Sequence, residues 1–226
     1  MTNQGITEDD IASYLSSTPG FFERHADLLA NVQLASPHSH RTISLQQRQM
    51  EMLRERIKGL ERRIMEMIRH GQENASIADR LHEWTRAIML AVDPVDLPAV
   101  VVDELRHQFL IPQAAVRLWG VAPQYSRCDF AVGISEDIRN YASSLSEPYC
   151  GANSGFDAVQ WLDEPASVTS VAMMALRRST ASPAFGLLVL ASPDPTRYTA
   201  EMGTEFLLRV SEIASAGFTR LLALGD

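Results

Sequence analysis

The chain has 226 residues, 46% hydrophobic and 21% charged, with 20 Lys and Arg against 28 Asp and Glu. That balance is ordinary for a folded globular protein and excludes a disordered, collagenous or disulfide-stapled one. A net charge of -8 argues against wholesale wrapping of nucleic acid, and the longest apolar runs, such as 185–191, fall far short of the ~18–20 residues that a membrane span needs. The acidic start, MTNQGITEDD, has no apolar stretch and does not read as a secretory signal. Two cysteines, Cys128 and Cys150, suit a reducing compartment, so the expected location is the cytoplasm.

The first segment, 1–42, reads as an arm of short helices followed by a loop. Thr7 before Glu8, Asp9 and Asp10 offers a cap and acidic groups to a helix N-terminus. Ile11, Tyr14 and Leu15 share a face, and Pro19-Gly20 stops the helix. Phe21, Phe22, Leu28 and Leu29 cluster around His25 in a second helix. Helices this short need a partner surface. The polar stretch 31–42, broken by Pro37, is expected to be a loop.

The clearest periodicity follows over 43–92. Ile43, Met50, Leu53, Ile57, Leu60, Ile64 and Met67 recur in alternating steps of three and four, with Gln46 as the one polar member. A seam repeating every 3.5 residues is the requirement of a left-handed coiled coil, and it predicts a homodimer. With Ile57 and Ile64 at position a, Arg56 at g would meet Glu61 at e of a parallel partner. Such exposed pairs contribute only ~0.2–1 kcal/mol and set orientation more than stability. The bland alternative is a surface helix lying on its own domain. The seam weakens at Gly71 and Asn74, where a kink is expected, and resumes with Ala78, Leu81, Ile88 and Val92.

Residues 93–226 alternate helices and strands, the first helix of this part beginning near 75. Helical spacing covers 96–109, 135–145 and a short 157–162; strands are expected at 114–119, 127–132, 148–151, 168–176 and 185–191. Thr199 can cap a final helix running to 224. Neighbouring strands in sequence predict a mainly antiparallel sheet with helices packed on it, an α+β arrangement. The helices at either end would cover one face, and loops and short helices the other. That layout matches a GAF- or PAS-type sensory module.

Four landmarks in order strengthen this: Tyr14-Leu15, Pro19, Phe21-Phe22, His25 and Leu28-Leu29; then Pro37-His38, Ser44-Leu45, Arg48-Gln49 and Leu53-Arg54; then Tyr149-Cys150-Gly151; and finally Met202-Gly203-Thr204 with Phe206-Leu207. Together they resemble the bacterial domain-of-unknown-function family 484 over roughly residues 8–222. The resemblance implies a GAF-like globular part and no established reaction. Ala26, Arg41 and Gln47 depart from the family's usual proline, glycine and acidic residue, which touches the arm and leaves the fold expectation intact.

Phosphate-loop, dinucleotide, zincin and CxxC patterns are absent. The 151–155 segment superficially resembles a nucleophile elbow, but Ser154 stands one place too late. His38 and His40 form the one close pair of histidines, too few for a zinc site. No enzyme activity, metal or cofactor is predicted. Strand alternation gives a candidate ligand pocket for an unknown small molecule: Arg117 and Trp119 on one face of the first strand, a combination suited to anionic or planar ligands, with Tyr149, Cys150, Trp161 and Met174 as further candidates. Residues 41–69 carry eight basic and four acidic side chains, so the remainder of the chain has 12 basic and 24 acidic. The alternative function is therefore an adaptor on DNA or a nucleoprotein complex, although solvated coiled-coil positions are routinely charged. The leading expectation is a non-enzymatic sensory or protein-interaction module, its arm free for a protein partner.

Overall fold

The computed structural model describes residues 6–31, 33–36, 39–179 and 181–223, and of residues 29–46 the backbone alone. It divides into two compact units, Met1–Glu73 and Asn74–Asp226.

In the first unit, helix α1 (Glu8–Ser17) opens on a reciprocal capping box. The Thr7 hydroxyl accepts from the Asp10 amide at 3.2 Å, and the Asp10 carboxylate accepts from the Thr7 amide at 3.0 Å. The short helices α2 (Gly20–Arg24) and α3 (Ala26–Asn31) follow. Phe21 is the hub of their aromatic contacts, its ring centroid 6.0 Å from Tyr14, 5.4 Å from Phe22 and 4.7 Å from His25.

The next segment differs from expectation. Instead of a loop, residues 33–44 hold an antiparallel pair, β1 (Gln33–Ser36) and β2 (Ser39–Ser44), with Leu34 opposite Ile43. Ile43 is therefore a strand residue and not the first member of the helical seam. Thr42 and Ile43 are β-branched and favour the extended backbone, a preference that coincidence with the heptad phase concealed. Helix α4 (Leu45–Leu90) then runs without interruption past Gly71, where a kink had been expected.

The second unit includes α4 from Asn74 onward, with Trp84 and Ile88 buried in its core. These residues and the partly buried Leu81 serve the globular core, whereas Val92 lies beyond the helix and is 96% exposed. After α4 come α5 (Leu97–Phe109), β3 (Gln113–Leu118), α6 (Glu136–Ser144), β4 (Tyr149–Ala152), β5 (Ser170–Leu176), β6 (Gly186–Ser192) and α7 (Glu205–Phe218). Ser135 caps α6 by accepting from the Ile138 amide at 3.3 Å. Two expectations fail locally. Residues 127–132 are no strand but contain the single 3-10 turn Asp129–Ala131, and α7 begins at Glu205, six residues after Thr199, which instead closes a turn with Met202.

The four strands pair antiparallel throughout, in the order β3-β6-β5-β4. The arrangement is the expected α+β one. Successive side chains of a strand point to opposite faces, and here both faces are covered. Val116, Leu118, Ala172, Met174, Leu176, Leu188 and Leu190 meet Trp84, Val101, Leu105, Val210 and Phe218 from α4, α5 and α7. On the other face, Ala115, Val171, Met173, Leu187 and Val189 meet Ile138 and Ala142 of α6, with Val159 of a 3-10 helix, Asp157–Trp161.

Candidate functional site

On the α6 side of the sheet, Arg117 of β3 lies with its guanidinium carbon 5.6 Å from the ring centroid of Trp161. Its Nη1 donates to its own strand neighbour, the Val116 carbonyl, at 3.1 Å. Its Nε is buried and has no hydrogen-bond partner among the described residues. Burial pushes the guanidinium's pKa down, while the Asp129 carboxylate pulls it up. A half-buried cation over an indole, with its buried Nε unpaired, is suited to an anionic or planar group.

The other expected pocket residues divide between the two faces. Trp119 joins the cluster on the α6 side, its Nε1 donating to the Ala184 carbonyl at 2.7 Å. Trp161 donates to the Gly133 carbonyl at 3.3 Å. Tyr149 packs its ring 5.1 Å from Phe156 and donates to the Ala152 carbonyl at 3.3 Å. Cys150 and Met174, both buried, face the opposite way into the core under α4, α5 and α7. Burial raises the Cys150 thiol pKa, which disfavours the reactive thiolate. The six residues thus do not converge: Arg117 and Trp161 meet, Trp119 and Tyr149 share their side, and Cys150 and Met174 stand behind the sheet.

A groove of about 700 Å³, of whose lining the sequence had picked out Met174 alone, lies between the segment after α6, the end of β5 and α7. Its key residue is Arg177. The guanidinium donates to the carbonyls of Ala142 (3.0 Å), Ser143 (2.7 Å) and Leu145 (3.0 Å), and to that of Ser182 (2.7 Å). This neutralises carbonyls left over at the end of α6, where the macrodipole is negative. Among the hydroxyls around the groove, Ser144 donates to the Tyr141 carbonyl at 2.7 Å and Ser211 to that of Leu208 at 2.8 Å, while Ser215 accepts from the Arg177 amide at 3.1 Å. The groove is thus held together by its own polar groups.

Near the supposed elbow, Asn153 accepts from the Gly155 amide at 3.1 Å and Gly155 adopts φ of 85°, the chemistry of a turn. His38 lies outside the described residues, as does the side chain of His40. Among the described residues, no group of three or more His, Cys, Asp or Glu is placed to hold a metal, and no helix is long and apolar enough to cross a membrane.

On α4, the seam residues Met50, Leu53, Ile57, Leu60, Ile64 and Met67 are between 50% and 72% exposed. Ile43 is excluded from the seam by its place in β2, and its side chain lies outside the described residues. Ile68, at e, adds exposed apolar surface beside the seam, and Met52 and Met65, at c and b, are exposed on the outward side, which the heptad count did not include.

A family profile described as "Protein of unknown function, DUF484" matches residues 1–221. The chain belongs to that family. Comparison with curated proteins finds no match. Among solved structures, the chain is similar to the GAF domain of an Acinetobacter phosphoenolpyruvate-protein phosphotransferase, at 14% identity and a TM-score of 0.45 over 64% of this chain and 93% of that one. The GAF domain of the Coxiella burnetii phosphoenolpyruvate-protein phosphotransferase gives 12% and 0.46 over 65% and 94%. That of the Escherichia coli potassium sensor histidine kinase KdpD gives 15% and 0.41 over 64% and 94%.

Proposed function

We propose that this chain is a non-enzymatic, GAF-like sensory or protein-interaction module that pairs with a second copy through α4. The observation that carries this reading is the row of six aliphatic and thioether side chains from Met50 to Met67, each at least half exposed. Fully burying such a side chain is worth about 1.5–3 kcal/mol. With about half to three quarters of each still exposed, a row of six on each of two helices brings a gain of the same order as the ~4–15 kcal/mol cost of association. Their 3.5-residue repeat is the signature of a left-handed coiled coil, and Ile57 and Ile64 at a with Leu53 and Leu60 at d favour two strands.

The stacked pair of Arg117 and Trp161 is the place where a small anionic or planar ligand would act. Such a ligand alters the module only if its affinity differs between two arrangements of the chain. The arm and the paired helix then carry the response to a protein partner.

Sedimentation velocity of the intact chain at micromolar concentration tests the pairing. A dimer that becomes a monomer in the Ile57→Asp, Ile64→Asp double variant agrees with it. A monomeric intact chain refutes it. Native mass spectrometry of the same preparation reports any co-purifying small molecule. The exposed Arg56, Arg62 and Arg63 support a second reading, contact with nucleic acid. A salt-dependent gel shift abolished by changing these three to Glu would establish it.

A further inference from the structure

Within the second unit, a cleft of about 480 Å³ separates α4 from α7. Asn74, Ile77, Ala78, Leu81, His82 and Thr85 line it from α4, and Glu205, Phe206, Arg209 and Ile213 from α7, so its apolar floor carries a charged edge. The two helices touch farther along: a Cβ on Gly217 would stand 3.0 Å from Ile88 Cγ2, and Arg220 Nη2 donates to the Ile88 carbonyl at 3.1 Å. Toward Asn74 they part. Leu81, Phe206 and Ile213 pack against the core yet remain partly open, and Ile77 on the rim is 42% exposed.

The heptad count says what covers this opening. Continuing from Ile64 and Met67 in alternating steps, positions a and d fall on Gly71, Asn74, Ala78, Leu81 and Thr85. Four of these five line the cleft, together with Ile77 and His82 at the flanking g and e positions. Trp84 and Ile88, at g and d, are spent on the core, whereas Ala78 and Thr85, at a, remain on the cleft. Small side chains at a permit close approach of a second helix.

Charge selects the direction. The g edge carries Arg56, Arg63 and His70, and an antiparallel pairing would set this edge against itself, whereas a parallel one sets Arg56 against Glu61. In a parallel two-fold pair, residue 78 meets residue 78, and each cleft both gives and receives the same segment. We infer that the same stretch of α4 from a second copy of this chain, residues 74–85, covers the cleft, so that the pairing surface continues beyond Met67. The inference rests on the α4 pairing proposed above and extends it.

Single cysteines placed in the full chain, in a Cys128→Ser, Cys150→Ala background, separate the two claims. Ile64→Cys reports the seam, Ala78→Cys the cleft, and Arg80→Cys, at an outward c position, serves as control. Mild oxidation should link the first two across the dimer and spare the third. In the otherwise unchanged chain, Ala78→Glu alters an exposed residue and should fold normally, yet raise the dimer dissociation constant about tenfold or more, because residue 78 meets its own copy and two carboxylates are set against each other. If Ile64→Cys links while Ala78→Cys does not, and Ala78→Glu leaves the dissociation constant unchanged, the dimer stands and the cleft inference is overturned. If none links and the intact chain sediments as a monomer, the pairing itself fails and the inference with it.

Discussion

The indole of Trp84 donates from Nε1 to the carbonyl oxygen of Val101 over 3.0 Å, and both residues are fully buried. This ties the last turns of α4 to the middle of α5 by a bond between a side chain and a backbone 17 positions away. Trp84→Ala should destabilise the second unit by about 3–5 kcal/mol through cavity formation. Trp84→Phe keeps most of the volume and should cost about 1–2 kcal/mol, chiefly the lost hydrogen bond. Urea denaturation at one fixed protein concentration measures both, since pairing makes the midpoint concentration-dependent.

Arg177 should tolerate no conservative replacement. Its guanidinium serves four carbonyls at once, and a lysine ammonium cannot reproduce that fork. Arg177→Lys is expected to lower stability by about 1–3 kcal/mol. Limited proteolysis should show faster cleavage in 143–148, where the released carbonyls lie. Unchanged melting and unchanged cleavage would mean that α6 holds its end without help.

Gly186 opens β6 in a space already filled. A Cβ there would stand 2.6 Å from Leu118 Cδ2 and 2.9 Å from Leu176 Cδ1, between the strands on either side. Gly186→Ala forces these leucines aside and should cost about 1–3 kcal/mol. Pairing it with Leu118→Val should recover part of the loss, a coupling that a double-mutant cycle would read directly.

Alkaline pH should weaken the fold through Tyr141. Burial, with a smaller contribution from Tyr149, pushes its hydroxyl from 10.0 up to about 12. The folded chain then keeps the neutral phenol where the unfolded chain ionises. The stabilisation is complete below pH 10 and is lost as pH rises toward about 12. Tyr141→Phe should flatten this part of the pH profile of the urea midpoint. It should also remove a late-titrating phenolate from the ultraviolet absorbance.

What could be read in advance was local. Thr7 and Ser135 announced their helices because a cap acts within three residues. The strands β5 and β6 announced themselves as unbroken apolar runs, and being covered on both faces they showed no alternation that would assign sides. The hairpin at 33–44 escaped because its pairing lies between segments too short and polar to show a pattern, and Ile43 happened to fit the heptad. The meeting of Arg117 with Trp161 depends on how residues 157–161 fold back over β3, which no local rule dictates. The separation of Tyr149 from Cys150 was in principle readable. Adjacent residues of one strand point to opposite faces, so the two could never have lined one cavity.

The sheet's margins carry a further consequence. At one border lies β4, only four residues long, entered from Pro148 and paired on its inner side alone. At the other, the chain leaving β3 is tied down by the Ala122 amide to the Leu221 carbonyl at 2.8 Å and by the Ala223 amide to Gly120 at 3.0 Å. A four-residue strand at one rim and a stitched-down chain after the other shorten the unpaired backbone on which a foreign strand could grow.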